Sequence, residues 1–277
     1  MCDSQLPPPL GYDGPPSSDQ HLRRIEWVEA LEGAIVPLAS DYADRVVVPP
    51  HRHKRSQLLY ALTGIITVTT EAGRWMVPPD HALWVPAGME HSVAPHGRVR
   101  MHSIYVSPGT VTLPPGCRVV EVTPLMHGLI VEAVKLPRQW PVGSRAEKIM
   151  ALVAEELPLL PERPLGLPMP ADERLAALCR DFIATPDPHA TIDDWAKRLA
   201  TSRRSFTRMF RQQTGLGLAA WRQQATLFAA LPRLAAGEAV TSVAIDLGYD
   251  SVAAFTTMFK RLLGAPPSRY LRQSPAP

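Results

Sequence analysis

From about residue 35 to residue 122, short apolar runs alternate with turn-forming residues. The runs cover residues 58–62, 65–70, 75–77, 82–85 and 99–106. They are separated by Gly64, Gly73, Pro78-Pro79, Pro86-Ala87-Gly88 and Pro95. Short strands at this spacing, punctuated by Gly and Pro, predict a small antiparallel β-barrel or sandwich. Beyond residue 122 the period lengthens to that of a helix. Residues 124–136 set Leu125, Leu129, Ile130, Ala133 and Val134 on one face, and residues 145–157 do the same with Ile149, Leu152, Val153 and Leu157. Residues 158–170 hold prolines at 158, 161, 164, 168 and 170 and read as a stiff linker. The rest of the chain is helical in pattern. The first 20 residues are rich in Pro, Gly, Ser and Asp and predict a mobile arm. The division expected is an arm (1–20), a β domain (21–122), a helical dimerisation or packing segment (123–157), a linker (158–170) and an all-α domain (171–277). The fold class is α+β with two domains.

The helical part repeats itself. Residues 191–216 and 240–265 each carry a short amphipathic helix, a tight polar turn, a second helix with paired Phe residues and a closing Gly, about 49 residues apart. That is the pattern of a helix-turn-helix, whose second helix lies in the major groove of DNA. In the first copy, residues 203–213 form the recognition helix, with Ser202 as N-cap. At about 100° per residue, Phe206, Met209 and Phe210 face inward, while Arg204, Thr207, Arg208 and Arg211 face outward beside Arg203 at the helix start. In the second copy, Ser251 caps residues 252–263. Phe255, Met258, Phe259 and Leu262 face inward; Ala253, Thr256, Thr257 and Lys260 face outward. Arg makes bidentate contacts to guanine or binds phosphate, so the first copy is expected to discriminate bases. The second is expected to contact phosphates and thymine methyls. The plainer reading of either outward face is a solvated basic surface, and the repetition weighs against it. Residues 218–235 should form a connecting helix of roughly 27 Å, close to the about 34 Å between successive major-groove faces. Pro232 should kink it or mark a restart.

Charge follows the same division. The net charge is +3, but residues 1–170 hold 15 Lys/Arg against 17 Asp/Glu and residues 171–277 hold 14 against 9. The positive excess lies with the repeated helices, where a polyanion would dock. Three scattered cysteines (Cys2, Cys117, Cys179) imply neither a disulfide framework nor a zinc finger. No signal peptide or membrane-spanning run is visible, which suggests the cytoplasm and no membrane partner.

Residues 191–272 resemble the DNA-binding domain of the AraC/XylS family of bacterial transcription regulators. The motifs are Trp195-Ala196, Ser202-Arg203-Arg204-Ser205-Phe206, Phe210-Arg211-x-x-Thr214-Gly215, Ala219-x-Trp221, Ala244-x-x-Leu247-Gly248-Tyr249, Phe255-x-x-x-Phe259-Lys260 and Gly264-x-Pro266-Pro267-x-Arg269-Tyr270. Where the family usually has Arg before a Leu in the connecting helix, this chain has Thr226.

The β segment carries His51-x-His53-x-x-x-Gln57, then Gly64, and later Pro86-x-Gly88-x-x-His91. In an extended strand His51, His53 and Gln57 share parity and one face. The spacing resembles the two motifs of the cupin barrel, which implies a metal held by His, His, an acidic residue and His. Gln57 stands where Glu is usual, and Asp80 stands where the second motif opens with Gly. Three readings stay open: a divalent metal on His51, His53 and His91, hydrogen-bonded histidines lining a pocket, or direct contact with an organic or anionic effector. Lys54 and Arg55 place positive charge nearby, which disfavours a metal. Trp75, Trp84 and Tyr60 either pad such a pocket or belong to the core.

The chain is therefore expected to be a sequence-specific DNA-binding regulator answering to a small-molecule or metal effector. Double-stranded DNA, the effector, a second copy of the chain and RNA polymerase are the expected partners. The helices at 124–136 and 145–157 would either dimerise or pack within the chain. The alternative from another class is a metal-dependent cupin enzyme fused to a DNA module, and no catalytic residue is assigned. A third is a helical adaptor that binds only protein.

Overall fold

The computed structural model describes residues 18–43, 46–137 and 139–270. They divide into two compact units. One comprises the chain up to Thr70 with Trp75–Pro164; the other comprises Glu71–Arg74 and the chain from Leu165. The expected arm (1–20) lies outside the described residues up to residue 17.

The first unit opens with a helix absent from the sequence reading, α1 (Ser18–Ala30), and then builds a sheet. Its strands are β1 (Ile35–Tyr42), β2 (Val48–His51), β3 (Ser56–Thr70), β4 (Gly73–Val77), β5 (His81–Val85), β6 (His91–Val106), β7 (Arg118–Glu121) and β8 (Glu162–Arg163). The hydrogen-bonded order is β1-β6-β3-β5-β7-β8, with β2 added on β6 and β4 on β3. This is a sheet-rich unit, and among the described residues its end strands β1 and β8 are not paired with each other.

Two expected breaks are not breaks. β3 runs through Gly64 and β6 runs through Pro95. The register shifts between Ala61 and Thr63 and again between Thr63 and Ile65, so Gly64 sits in a bulge. Its φ is +77°, and a Cβ there would lie 2.6 Å from Val99 Cγ2 and 2.8 Å from the Arg98 carbonyl oxygen. Only glycine fits. Pro95 stays in register with Ile66.

One face of the sheet is covered by α2 (Pro124–Ala133) and α3 (Arg145–Glu156). Leu58, Tyr60, Trp84 and Ile104 pack there with Met126, Ile130, Ile149 and Val153, each full burial contributing about 1.5–3 kcal/mol. Thr123 caps α2 by accepting the Met126 N–H at 3.2 Å, and Ser144 caps α3 by accepting the Glu147 N–H at 3.3 Å. Met126 and Met150 take core positions, while Leu125 and Leu152, expected on the packed faces, remain 53% and 42% exposed.

The second unit contains β9 (Gly166–Pro168), α4 (Glu173–Ala184), α5 (Ile192–Arg198), α6 (Arg203–Thr214), α7 (Leu218–Ala235), α8 (Val240–Asp246), α9 (Val252–Leu263) and α10 (Pro267–Tyr270). The proline-rich stretch carries two short strands, β8 and β9. Residues 162–163 extend the first sheet, with Glu162 opposite Val120. In the second unit Leu165 and Leu167 are buried, and the Pro168 carbonyl accepts the Trp221 indole N–H at 2.7 Å. Trp195 lies within 6.2 Å, ring centre to ring centre, of Phe182, Phe206, Phe210 and Trp221. Such pairs add about 0.5–1.5 kcal/mol each beyond burial. Around the second helix pair, Phe255 contacts Tyr249 and Phe259. α7 continues through Pro232 without a restart. The proline stands in the last turn, and the helix forgoes the bond that an N–H there would make to the Phe228 carbonyl.

The two helix pairs share local chemistry. Ser202 and Ser251 cap α6 and α9 by accepting the Ser205 and Ala254 N–H groups at 3.2 and 3.1 Å. Both helices end on a left-handed glycine, Gly215 (φ 72°) and Gly264 (φ 79°).

Candidate functional site

Three imidazoles converge inside the first unit. His51, His53 and His91 are 8%, 3% and 1% exposed, and a nitrogen of each lies within 4.8 Å of the others. The route differs from strand parity. His51 ends β2, residues 52–55 bend away from strand geometry, and Gln57 lies on β3. His51 and His91 meet because β2 pairs with the start of β6, where the two histidines face each other in register.

Each ring is fixed through Nδ1. His51 Nδ1 lies 2.9 Å from the Pro49 carbonyl, His91 Nδ1 2.9 Å from the Met89 carbonyl and His53 Nδ1 2.5 Å from the Arg55 carbonyl. A carbonyl can only accept, so each Nδ1 carries the hydrogen and each Nε2 is left with its lone pair. His91 Nε2 is buried without a partner among the described residues. Burial holds the His53 pKa below its ordinary value. His91 is pushed down to about 3, first by burial and then by the charge of His51. The neutral imidazoles this favours are the form that binds metals.

Gln57 completes the cluster. Its Oε1 lies 3.1 Å from His53 Nε2, and its amide nitrogen donates to Ser103 Oγ at 2.8 Å and Tyr105 Oη at 3.2 Å. With Nδ1 protonated, the contact to His53 sets acceptor against acceptor. Two arrangements remove the conflict. The amide turns over, donating to His53 and accepting from the two hydroxyls, or a cation sits among the lone pairs. The residues present fit a metal: three imidazole nitrogens and one amide oxygen form a neutral donor set suited to borderline divalent ions rather than magnesium or calcium.

Of the two readings open for the nearby aromatics, the core holds for Tyr60 and Trp84. Tyr60 and Trp84 lie in the helix-facing core, on the other face from Gln57. The aromatic ring at the cluster is Tyr105, 5.3 Å from His53 and edge-on. Tyr105 and Ser103 escaped the sequence reading; the signal is the β3–β6 register, in which Gln57 lies opposite Tyr105. The Arg55 guanidinium bonds to the carbonyls of Gly33 and Leu31 and to Ser107 Oγ, and the Lys54 ammonium pairs with Glu29 at 3.7 Å. Asp80 adopts φ +62°, a left-handed conformation that Asp tolerates and glycine takes more readily.

In the second unit, Arg204, Arg208 and Arg211 of α6 are exposed. Arg203 differs, because its Nη1 pairs with Asp193 on α5 at 3.0 Å. The Thr207 hydroxyl donates to the Arg203 carbonyl and the Thr257 hydroxyl to the Ala253 carbonyl, both at 2.8 Å. On α9, Ala253, Thr257 and Lys260 are exposed, Thr256 is half-buried rather than fully outward, and Ser251 is engaged as the cap. At position 226, the Thr226 hydroxyl donates to the Arg222 carbonyl at 2.9 Å.

A sheet-rich unit with a buried polar cluster and a helical unit with an outward arginine face define, as a class, a regulator with separate ligand-binding and DNA-binding parts. Residues 32–130 match the AraC-like ligand binding domain, and residues 195–273 match a helix-turn-helix domain. The chain is 35% identical over 228 residues to the HTH-type transcriptional regulator NimR of Escherichia coli K12, spanning 82% of this chain and 84% of that protein. It is 29% identical over 109 residues to the arabinose operon regulatory protein of Salmonella typhimurium, 36% of this chain and 37% of that one. Among solved structures, ToxT from Vibrio cholerae aligns with 88% of this chain and 100% of its own at 10% identity and a TM-score of 0.38. The DNA-binding domain of AdpA in complex with a target DNA aligns with 37% of this chain and 93% of its own at 27% identity and a TM-score of 0.35. The chain belongs to the AraC family of transcriptional regulators and is a DNA-binding regulator with a ligand-binding domain.

Proposed function

We propose that both helix pairs are helix-turn-helix units and that α6 and α9 enter neighbouring segments of one major groove. The observation that carries this is the free basic face of α6. Among the described residues Arg204, Arg208 and Arg211 have no ion pair, whereas Arg203 does. Arg204 and Arg208 read bases, Arg211 and Lys260 hold phosphates, and Ala253 and Thr257 offer apolar and small polar contacts. The first unit is read as a cupin-like barrel, which the two-sided burial of β3 supports. His51, His53 and His91, with Gln57, hold a borderline divalent metal as effector or as part of the effector site. The exposed Leu125 and Leu152 on α2 and α3 support a homodimer, and RNA polymerase is the partner through which transcription changes. The relatives bear regulator names, which supports a non-enzymatic role. Among the described residues no helix is long and apolar enough to cross a membrane, and we place the protein in the cytoplasm.

The test is genome-wide binding-site mapping with purified protein, with and without nickel, zinc or a chelator. A recurrent bipartite sequence whose occupancy changes with metal is expected. Enrichment no better than for bulk competitor DNA in every condition would defeat the DNA reading; unchanged occupancy would remove the metal from regulation.

A further inference from the structure

Arg261 stands in the last turn of α9, outside the face that Ala253, Thr256, Thr257 and Lys260 share. At about 100° per residue those four point on average one way, and Arg261 lies roughly 90° round the helix from them. The buried Phe255, Met258 and Phe259 take the opposite side. Arg261 is therefore on a flank of the helix, and it is exposed. Gln212 holds the corresponding position in α6, three residues before the closing Gly215 as Arg261 is before Gly264.

The Arg261 side chain is held in place. Its Nη2 donates to Gln223 Oε1 on α7 at 2.6 Å. A guanidinium can only donate, so the amide must present its oxygen. The bond orients the arm without neutralising it. Gln223 is uncharged, and among the described residues Arg261 forms no salt bridge. The other guanidinium N–H groups belong to an exposed side chain and remain open to an anion.

An α-helix with its side chains is about 10–12 Å across, and the major groove of DNA is about 12 Å wide. A helix seated there turns its outer face to the base edges and its flanks to the sugar-phosphate walls. We propose that Arg261 binds a backbone phosphate on that wall and that Gln223 is its positioning residue. The inference rests on the reading of α9 as a groove helix. It also accounts for the uneven charge of the two helix pairs. α6 carries Arg204, Arg208 and Arg211 outward, whereas the outer face of α9 has Lys260 as its one long cation. Arg261 gives the second pair a further backbone contact from the side. A tethered arm also loses less freedom when it meets the phosphate.

Affinity of the full chain for its mapped operator and for a scrambled duplex is measured by fluorescence anisotropy between about 50 and 200 mM salt. Losing one phosphate contact makes the fall of log K with log salt shallower by about 0.9. Arg261→Ala should show that change equally on both duplexes, with a loss about threefold larger at the low-salt end. Arg261→Lys should keep the slope. Gln223→Leu should weaken binding with the slope intact, and should add nothing in the Arg261→Ala background. An unchanged slope in folded Arg261→Ala would overturn the proposal, as would a lower melting temperature alone, the mark of a residue that serves only the end of its own helix. An equal Gln223→Leu loss in both backgrounds would overturn the positioning role. Arg261→Gln gives the same reading should the alanine variant not fold. Hydroxyl-radical footprints of the unaltered chain keep the two levels apart. Protection of a single groove segment counts against the entry of α9, whereas two protected segments with an unchanged Arg261→Ala slope count against Arg261.

Discussion

Ala200 and Gly248 occupy the same backbone position, one in each helix pair, and both are left-handed, with φ of 53° and 77°. In each pair the next residue closes the helix end. Thr201 N–H bonds the Ala196 carbonyl and Tyr249 N–H bonds the Ala244 carbonyl, both at 3.0 Å. A side chain in this conformation costs about 1–2 kcal/mol, offset in part by the greater unfolded-state freedom of glycine. Ala200→Gly should therefore stabilise the protein by about 0.5–1 kcal/mol. Gly248→Ala should destabilise it by more, because its Cβ would also lie 2.9 Å from Pro188 Cδ. Urea melts of the full chain check both signs.

Arg204→Ala or Arg208→Ala should weaken binding to the cognate site by about 1–3 kcal/mol and relax preference at one base position. Arg203→Ala should change affinity less, since its partner is Asp193 and exposed ion pairs contribute about 0–1 kcal/mol. Electrophoretic competition against single-base operator variants separates the cases; an equal loss on cognate and scrambled duplexes assigns Arg204 and Arg208 to phosphate.

Nickel or zinc at 100 times its dissociation constant should raise stability by about 2.7 kcal/mol. His91→Ala should abolish that gain. Gln57→Glu should strengthen metal binding, because a carboxylate replaces an amide in an otherwise neutral set. Thermal melts with chelator as reference report all three, and a gain that survives His91→Ala would place the metal elsewhere.

Burial holds His53, His81, His91 and His102 below the ordinary histidine value of 6.5. Below that value the unfolded chain takes up protons that the folded chain refuses, so folding stability rises with pH across the window. Metal-free protein should keep this stability above about pH 6.5 and lose it progressively as pH falls towards the His91 value of about 3. Chelator-treated protein should show a lower urea midpoint at pH 5 than at pH 7.5, and a midpoint that does not fall would mean that the buried rings are already charged.

What the sequence determined is what neighbouring residues settle among themselves. Ser202, Ser251, Gly215 and Gly264 start and stop α6 and α9 because caps and left-handed closures act within one helical turn, and the paired Phe residues mark the buried face by period alone. The histidine motifs marked His51, His53 and His91 as candidates by residue type, and the three rings do lie together. Tertiary structure decided the rest. Gly64 and Pro95 looked like strand ends, yet a bulge against Val99 and an in-register partner at Ile66 carry the strands past them. Leu125 and Met126 are equally apolar in pattern; which one is buried depends on where the sheet lies. His51 meets His91 through the pairing of β2 with β6, and Tyr105 reaches His53 through the register of β3 against β6. Those contacts join residues some 40 to 50 positions apart, and no local preference encodes a partner at that distance.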